Sequence, residues 1–481
     1  MQIVVLAGLI LSMAFVEPEI SGELAPPGPL TPWSLCAYPA VAAMLTALNT
    51  LLSRRALRHW GGMPRGVRRR HTVLTTMANL WLVVGSAAVL FSGYGRWLAE
   101  RAATQPLPLV YRLASAGPFV LSLMVVLALR YPFYRAYRRR SAPDRRPWSA
   151  GEYLGYNARH HVLFALVPIS LILLGHDAIG LYAEPRLPNE TWASVVLIGG
   201  RVAVGLGVFF LAPVLIVRIW RTERLGPTPL RGSLESISRR LGLGYRDMRV
   251  WKSSGEIANA GVMGLTRHVR YVLLSDGLLE NMDPAEIESI FAHEAGHIAE
   301  HHIFYSALFA LSCVTLCSVA GFFAAWGLGL SLWGEMALTL ALTAAAFGLV
   351  FGWISRRFER QCDVVAAWAV GRECAAGNLP DPVDEASQAG DAAQPGDADP
   401  MRIPPAGAAL FARSLQHVGR LNAIPATQPN WRHGSIARRV SYILWLSSRG
   451  GTRREIDRTV RWIKVGIWLA VALSAAAFVF L

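Results

Sequence analysis

Nine stretches of this chain run almost free of charge, each near the roughly 20 residues a helix needs to cross a bilayer. They lie at 1–16, 35–52, 73–92, 107–129, 162–175 with its flank, 193–219, 304–328, 331–354 and 465–481. Charged residues are only 16% of the 481, against about 25% in ordinary soluble proteins. The first run has no basic residue ahead of its apolar core and no small-x-small cleavage site, so it reads as a retained membrane helix, not a signal peptide. The sequence predicts a mainly α-helical polytopic membrane protein.

Net charge is +15, and since Lys252 and Lys464 are the only lysines, arginine supplies nearly all of it. A nucleic-acid binder would gather that charge on one domain face; here it lies in connecting loops, and no nucleic-acid partner is expected. Loop 53–71 holds seven arginines and no acid, and loop 130–161 eight against Asp144 and Glu152. Loop 17–34 carries Glu17, Glu19 and Glu23 with no base, and loop 176–191 three acids with Arg186; loop 95–106 is indecisive. Short basic loops stay cytoplasmic, which places the N-terminus, 220–303 and 355–462 on that side. Arginine near the bilayer also suits anionic headgroups. The preference for arginine over lysine suggests a GC-rich bacterial genome and hence an inner membrane. The five cysteines form no CxxC and are odd in number, which argues against a disulfide framework or a cysteine zinc site.

Residues 1–220 read as a six-crossing module without a convincing repeat. The first water-soluble stretch is 221–303: a short helix at 233–241, strands at 248–252, 257–262 and 271–275, then a longer helix. "DPAE" marks the start of that last helix, with Asp283 at the N-cap, Pro284 at the first helical position and Glu286 closing a capping box. Ile287, Ile290, Phe291 and Ile298 supply its apolar face. A pair of crossings fills 304–354, joined by a tight turn near Gly327–Leu330, and 355–462 is the second soluble part, ahead of a last crossing in 463–481. Inside it, 378–407 has six acids between Asp381 and Asp399 among Pro, Gly and Ala. Such a stretch buries too little apolar area to fold and is expected to be a disordered insertion. A helix is expected at 406–419.

The chemistry concentrates in "FAHEAGHIAEHH", 291–302. His293 and His297 are four apart on one helix, so both imidazoles leave the same face and can bind one metal ion, with Glu294 between them placed to polarise the attacking water. The bland alternative is a set of interfacial histidines. A catalytic zinc needs a third protein ligand; Glu359 is the candidate, on a helix expected to start where the chain leaves the membrane, with Asp363 a turn later able to hold a histidine ring nitrogen. Read blandly, Glu359 is one solvated charge beside Arg356, Arg357 and Arg360. His301 and His302 are expected at the membrane interface, as are His160 and His161, and Glu300 is expected to be a solvated helix charge.

These residues resemble the membrane zinc endopeptidases that include the CAAX prenyl endopeptidase and the bacterial HtpX heat-shock protease. "NAGVMG", 259–264, is similar to the family's NAxxxG strand beside the active site, and "VLLSDGLLENMDPAEIESIFAHEAGH", 272–297, to its strand, turn and HExxH helix. "SRRFERQCD", 355–363, resembles the SRxxExxAD segment, which implies Glu359 as zinc ligand and Asp363 as its partner. "HGSIARR" resembles the HPxxxxR element and implies His433 and Arg439 as catalytic-site residues near substrate. The resemblance covers about 221–303, 355–377 and 406–445, and leaves the six N-terminal crossings unmatched. Departures are Gly261 where an aromatic is common, Cys362 for a usual alanine, and Gly434 and Ser435 for two prolines.

The resemblance implies a small α+β zinc-metalloprotease domain at the cytoplasmic face, with one Zn2+ per chain on His293, His297 and Glu359. Glu294 would act as general base, and the strand at Asn259 and Ala260 would pair with an extended protein or peptide substrate. Misfolded membrane proteins are the expected substrates if the HtpX likeness dominates, lipidated C-termini if the prenyl-endopeptidase likeness does. An intramembrane protease, a non-enzymatic sensor or scaffold, and a transporter are the rivals. The charged residues flanking the motif speak against the first, and the scarcity of mid-membrane ionisable residues against the last.

Overall fold

The computed structural model describes residues 32–60, 65–89, 108–141, 146–188, 191–375, 399–422 and 424–478, with isolated positions among 5–13 and 94–101. Most of the run 1–16 and of the acidic stretch 378–407 therefore lies outside the described residues. The chain divides into two compact units, Met1–Trp220 and Arg221–Leu481.

In the first unit, α1 (Pro32–Trp60), α2 (Arg65–Val89) and α3 (Leu109–Ser141) pack around Leu82, Phe119 and Leu123, all fully buried. Polar side chains tie them: Asn49 Nδ2 donates to Thr75 Oγ1 at 3.0 Å, and Arg130 Nη2 to Asn79 Oδ1 at 2.7 Å. Then come α4 (Ala150–Asn157), α5 (Phe164–Ala178) and α6 (Thr191–Ile219), with the π-helical turn Ala158–Leu163 fusing α4 to α5. The basic loop expected over 130–161 is mostly helical, because α3 runs to Ser141 and α4 begins at Ala150 with its cap, Ser149 Oγ, accepting from Glu152 N–H. His160 is buried, not on the surface. It is 4% exposed, stacked on Tyr156 with ring centroids 3.8 Å apart and set against Trp220.

The second unit opens with a four-stranded sheet of β1 (Thr222–Arg224), β2 (Asp247–Trp251), β3 (Ala260–Met263) and β4 (Tyr271–Ser275), with α7 (Pro229–Arg240) between β1 and β2. The order is β1-β2-β4-β3, with β2 and β4 parallel and both outer pairs antiparallel. All five residues of β4 are buried, while β3 is an edge strand beside the metal-motif helix. After α8 (Asp276–Asn281) comes that helix, α9 (Pro284–Ala299), with Pro284 at its first turn and Glu286 accepting from Asp283 N–H at 3.4 Å, as "DPAE" predicts. Ile287, Phe291 and Ala295 face the core; burying a large aliphatic or aromatic side chain contributes about 1.5–3 kcal/mol.

His301, in the left-handed region at φ 58°, breaks the chain between α9 and α10 (His302–Leu328). Gly329, at φ 64°, closes α10, and Ser331 caps α11 (Leu332–Ala346), which is the expected tight turn. The helix of the second apolar run does not end at 354. From α11 a π-helical turn, Phe347–Phe351, leads straight into α12 (Gly352–Ala375), so one rod carries the apolar run and Glu359. Residues 399–407, expected in the disordered insertion, are ordered: Ile403 is fully buried and donates its N–H to Gly451 O at 3.2 Å. They lead into α13 (Pro405–Leu421), which crosses α12 where a Cβ on Gly407 would stand 2.0 Å from Ala367 O. Two more helices, α14 (Ile436–Ser448) and α15 (Arg453–Phe478), complete the unit.

Among the described residues, six helical rods are long and apolar enough to cross a membrane: 109–140, 150–186, 192–219, 302–328, 334–372 and 453–477. The runs at 35–52 and 73–92 fold as α1 and α2, outside that set. The chain is a polytopic, mainly helical membrane protein, with one small sheet among the described residues.

Candidate metal centre

Three helices build the site. On α9 the four-residue spacing puts His293 and His297 on one face, and on α12 the same spacing stacks Glu359 over Asp363. Gly296 packs against Cys362 and Val365 where α9 meets α12. Glu359 Oε2 lies 3.5 Å from His293 Nε2 and Glu359 Oε1 lies 3.6 Å from His297 Nε2. The ligand atoms of these three residues fall within 4.8 Å of one another. Two imidazole nitrogens and a carboxylate converging on one point form the donor set that zinc takes, with room for a further ligand on the cleft side.

Behind these three residues, Asp363 is fully buried, and its Oδ1 lies 3.0 Å from His293 Nδ1. Arg439, from the first turn of α14, donates to it through Nε at 3.0 Å and Nη2 at 2.6 Å, and its Nη1 stands 3.3 Å from Glu359 Oε2. The guanidinium thus faces carboxylates on all three nitrogens. His433 approaches from the loop ahead of α14, with Nδ1 2.7 Å from Glu359 Oε1. Asn430 Oδ1 fixes that loop by accepting from the N–H groups of Arg432 and His433, at 2.9 and 3.1 Å, and Arg356 Nη1 donates to Trp431 O at 2.6 Å. Gly434 sits at φ 76°, closed to proline, and Ser435 caps α14 by accepting from Arg438 N–H. The two departures from the family's prolines thus suit this turn.

Burial alone pushes the His293 ring down, but the Asp363 and Glu359 carboxylates outweigh it and raise its pKa to about 9. Burial lowers His297 to about 4, and burial raises Glu294 above the usual carboxylate range.

The cleft over the site, about 640 Å³ in volume, brings Glu294, His293, His297 and Glu359 together with Asn259, Val262 and His433. Its other wall is apolar, with Ile290, Phe411, Leu415, Val418 and Ile436. Of the expected substrate strand, Asn259 is exposed at the cleft, whereas the Ala260 side chain is buried in the core and does not line it. The sequence reading missed the α13 wall, whose signal is the apolar spacing of Phe411, Leu415 and Val418, and it missed Asn422. That residue clamps the chain leading into β3, with Nδ2 donating to Ala258 O at 2.7 Å and Oδ1 accepting from Ala258 N–H at 3.3 Å.

Two expectations are overturned. His302 is not a surface residue but 2% exposed, with Nδ1 3.1 Å from His297 Nδ1, because the break at His301 turns it back under the site. Glu300 is not a free surface charge. It pairs with Arg453 and with Lys464, the latter at 3.4 Å, and accepts from Gln361 Nε2 at 3.1 Å.

Residues 229–380 match the model of Peptidase family M48. The chain is 30% identical over 166 residues to the protease HtpX of Xanthomonas euvesicatoria, an alignment covering 31% of this chain and 56% of that relative. It is 26% identical over 234 residues to the protease HtpX of Xylella fastidiosa, covering 44% and 78%. The match thus spans little more than half the length of the Xanthomonas relative. A crystal structure of Saccharomyces mikatae Ste24p aligns over 86% of this chain and 99% of that one, at 15% identity and a TM-score of 0.47.

Proposed function

We propose that this chain, whose residues 229–380 match Peptidase family M48, is an integral-membrane zinc endopeptidase working at the cytoplasmic face. The observation that carries this reading is the convergence of His293 Nε2, His297 Nε2 and the Glu359 carboxylate at the floor of a cleft that also holds Glu294. His293, His297 and Glu359 would hold the ion, one per chain. Bound there, zinc would supply the Lewis acid that polarises the scissile carbonyl and activates water.

The rest falls to the protein's own groups. Asp363, gripped by Arg439, holds the His293 ring in place through Nδ1. The Glu294 carboxylate, its proton affinity raised by burial, takes a proton from the attacking water and delivers it to the leaving amine nitrogen. His433 is held on Glu359 through Nδ1 and lines the cleft, where its ring would face the oxyanion of the substrate. The free edge of β3 offers backbone groups to an extended substrate, and the apolar α13 wall accepts an apolar side chain.

Substrates are membrane-associated or misfolded membrane proteins, a reading supported by the HtpX relatives and the apolar cleft. The arginine-rich loops support a cytoplasmic site in a bacterial inner membrane. The test is Glu294→Gln in the detergent-purified full chain, with a loosely folded protein such as casein as probe. Cleavage should fall by at least about a hundredfold while zinc stays bound. Cleavage at the wild-type rate would reject the assignment.

A further inference from the structure

A line of hydrogen bonds leaves the far side of His297 and ends on α15. Its polarity can be read from that distant end. Gln361 Nε2 lies 2.6 Å from Asp457 Oδ1 and 3.1 Å from Glu300 Oε2. Both carboxylates are ion-paired to Arg453, and Glu300 also to Lys464. Ionised carboxylates only accept, so the amide nitrogen must be the atom facing them and Oε1 must face the other way.

Gln361 Oε1 lies 2.8 Å from His302 Nε2. An amide oxygen only accepts, so the proton sits on His302 Nε2. The ring is 2% exposed and stacked on Phe358, centroids 4.1 Å apart and planes 4° from parallel. A neutral ring protonated at Nε2 has a bare Nδ1, which lies 3.1 Å from His297 Nδ1. The Cys362 thiol, 3.4 Å from the same atom, is a weak donor beside it. The His302 lone pair is therefore met by His297 donating from Nδ1. That tautomer leaves His297 Nε2 bare, and Nε2 is the nitrogen turned toward Glu359.

We propose that His302 and Gln361 are positioning residues forming a tautomer relay, which keeps His297 Nε2 free of a proton and open to the metal. Glu300 and Asp457 set the relay's direction from outside the cleft, and with Arg453 and Lys464 they couple α15 to the ligand helix. The relay rests on His297 being a metal ligand.

The same neighbourhood allows a rival, since the ligand atoms of His297, His302 and Cys362 also lie within 4.8 Å of one another and could clasp a second cation. The experiment uses the full-length chain in detergent. Zinc affinity is measured by chelator competition for wild type, His302→Phe, which keeps the stacked ring but loses both nitrogens, and His302→Asp, which restores an acceptor. The relay predicts a zinc dissociation constant about 10–100-fold weaker in His302→Phe and within about threefold of wild type in His302→Asp. Ring-15N histidine spectra of the wild type, independent of any variant, should show His297 protonated at Nδ1 and His302 at Nε2. Unchanged affinity in His302→Phe, equal loss in both variants, the opposite tautomers, or two zinc ions per chain would each overturn the relay. Wild type that binds no zinc at all would instead overturn the metal-centre reading beneath it.

Discussion

Arg439 holds Asp363 with two parallel N–H donors, at 3.0 and 2.6 Å, inside a pocket where the aspartate has no exposed surface. Bidentate guanidinium–carboxylate pairs fix orientation as well as charge, and here they fix a carboxylate 3.0 Å from His293 Nδ1. Removing one partner of such a buried pair leaves the other charge uncompensated, at a cost of about 3–5 kcal/mol. Arg439→Ala is therefore expected to lower the thermal midpoint sharply and to weaken zinc binding. Asp363→Asn with Arg439→Ala together should cost less than the sum of the two, as a double-mutant cycle in detergent would show. Additive losses would mean that the pair does not act as a unit.

Zinc uptake should be coupled to proton release. With its pKa raised to about 9 by Asp363 and Glu359 against the pull of burial, His293 carries a proton at neutral pH. His297, lowered to about 4, does not. A ligand imidazole must be neutral, so between pH 6 and 8 binding should expel close to one proton from His293 and none from His297. Apparent affinity should then rise about tenfold per pH unit over that range. Calorimetry in buffers of different ionisation enthalpy measures the count directly. A count near zero would contradict the raised value.

Gly407 should resist substitution. A Cβ there would stand 2.0 Å from Ala367 O, a backbone atom that cannot rotate away. Gly407→Ala must push α13 off α12, at about 1–3 kcal/mol for overpacking. Because α13 also forms the apolar cleft wall, KM should rise along with the loss of thermal stability. An unchanged melting curve would show that the crossing is looser than described.

The ligand helix was legible because its signals are local: a capping box at its start and metal-ligand spacing along one face. The rod from Leu332 to Ala375 was not. The onset of charge at Arg356 and Arg357 marks where the chain leaves an apolar run, and nothing in that change of polarity ends a helix. His302 was misjudged for a related reason. Its neighbours in sequence suggest an interface, while its burial is decided by Phe358 and Gln361, more than fifty residues on, and by the left-handed turn at His301. Asp363 and Arg439 were nameable from the resemblance, but their mutual grip depends on how α14 crosses α12. Gly434 and Ser435, departures on paper, became intelligible only as a left-handed residue and a helix cap.

The central claim is that Glu359 completes a zinc site begun by His293 and His297 on another helix. Zinc content of the detergent-purified protein, wild type beside Glu359→Ala, tests it most directly. The account predicts about one zinc per chain in the wild type, as a single catalytic centre of three protein ligands requires, and its loss in the variant with the helical spectrum intact. Zinc retained in Glu359→Ala would remove Glu359 from the site. A wild type free of zinc would contradict the peptidase reading altogether.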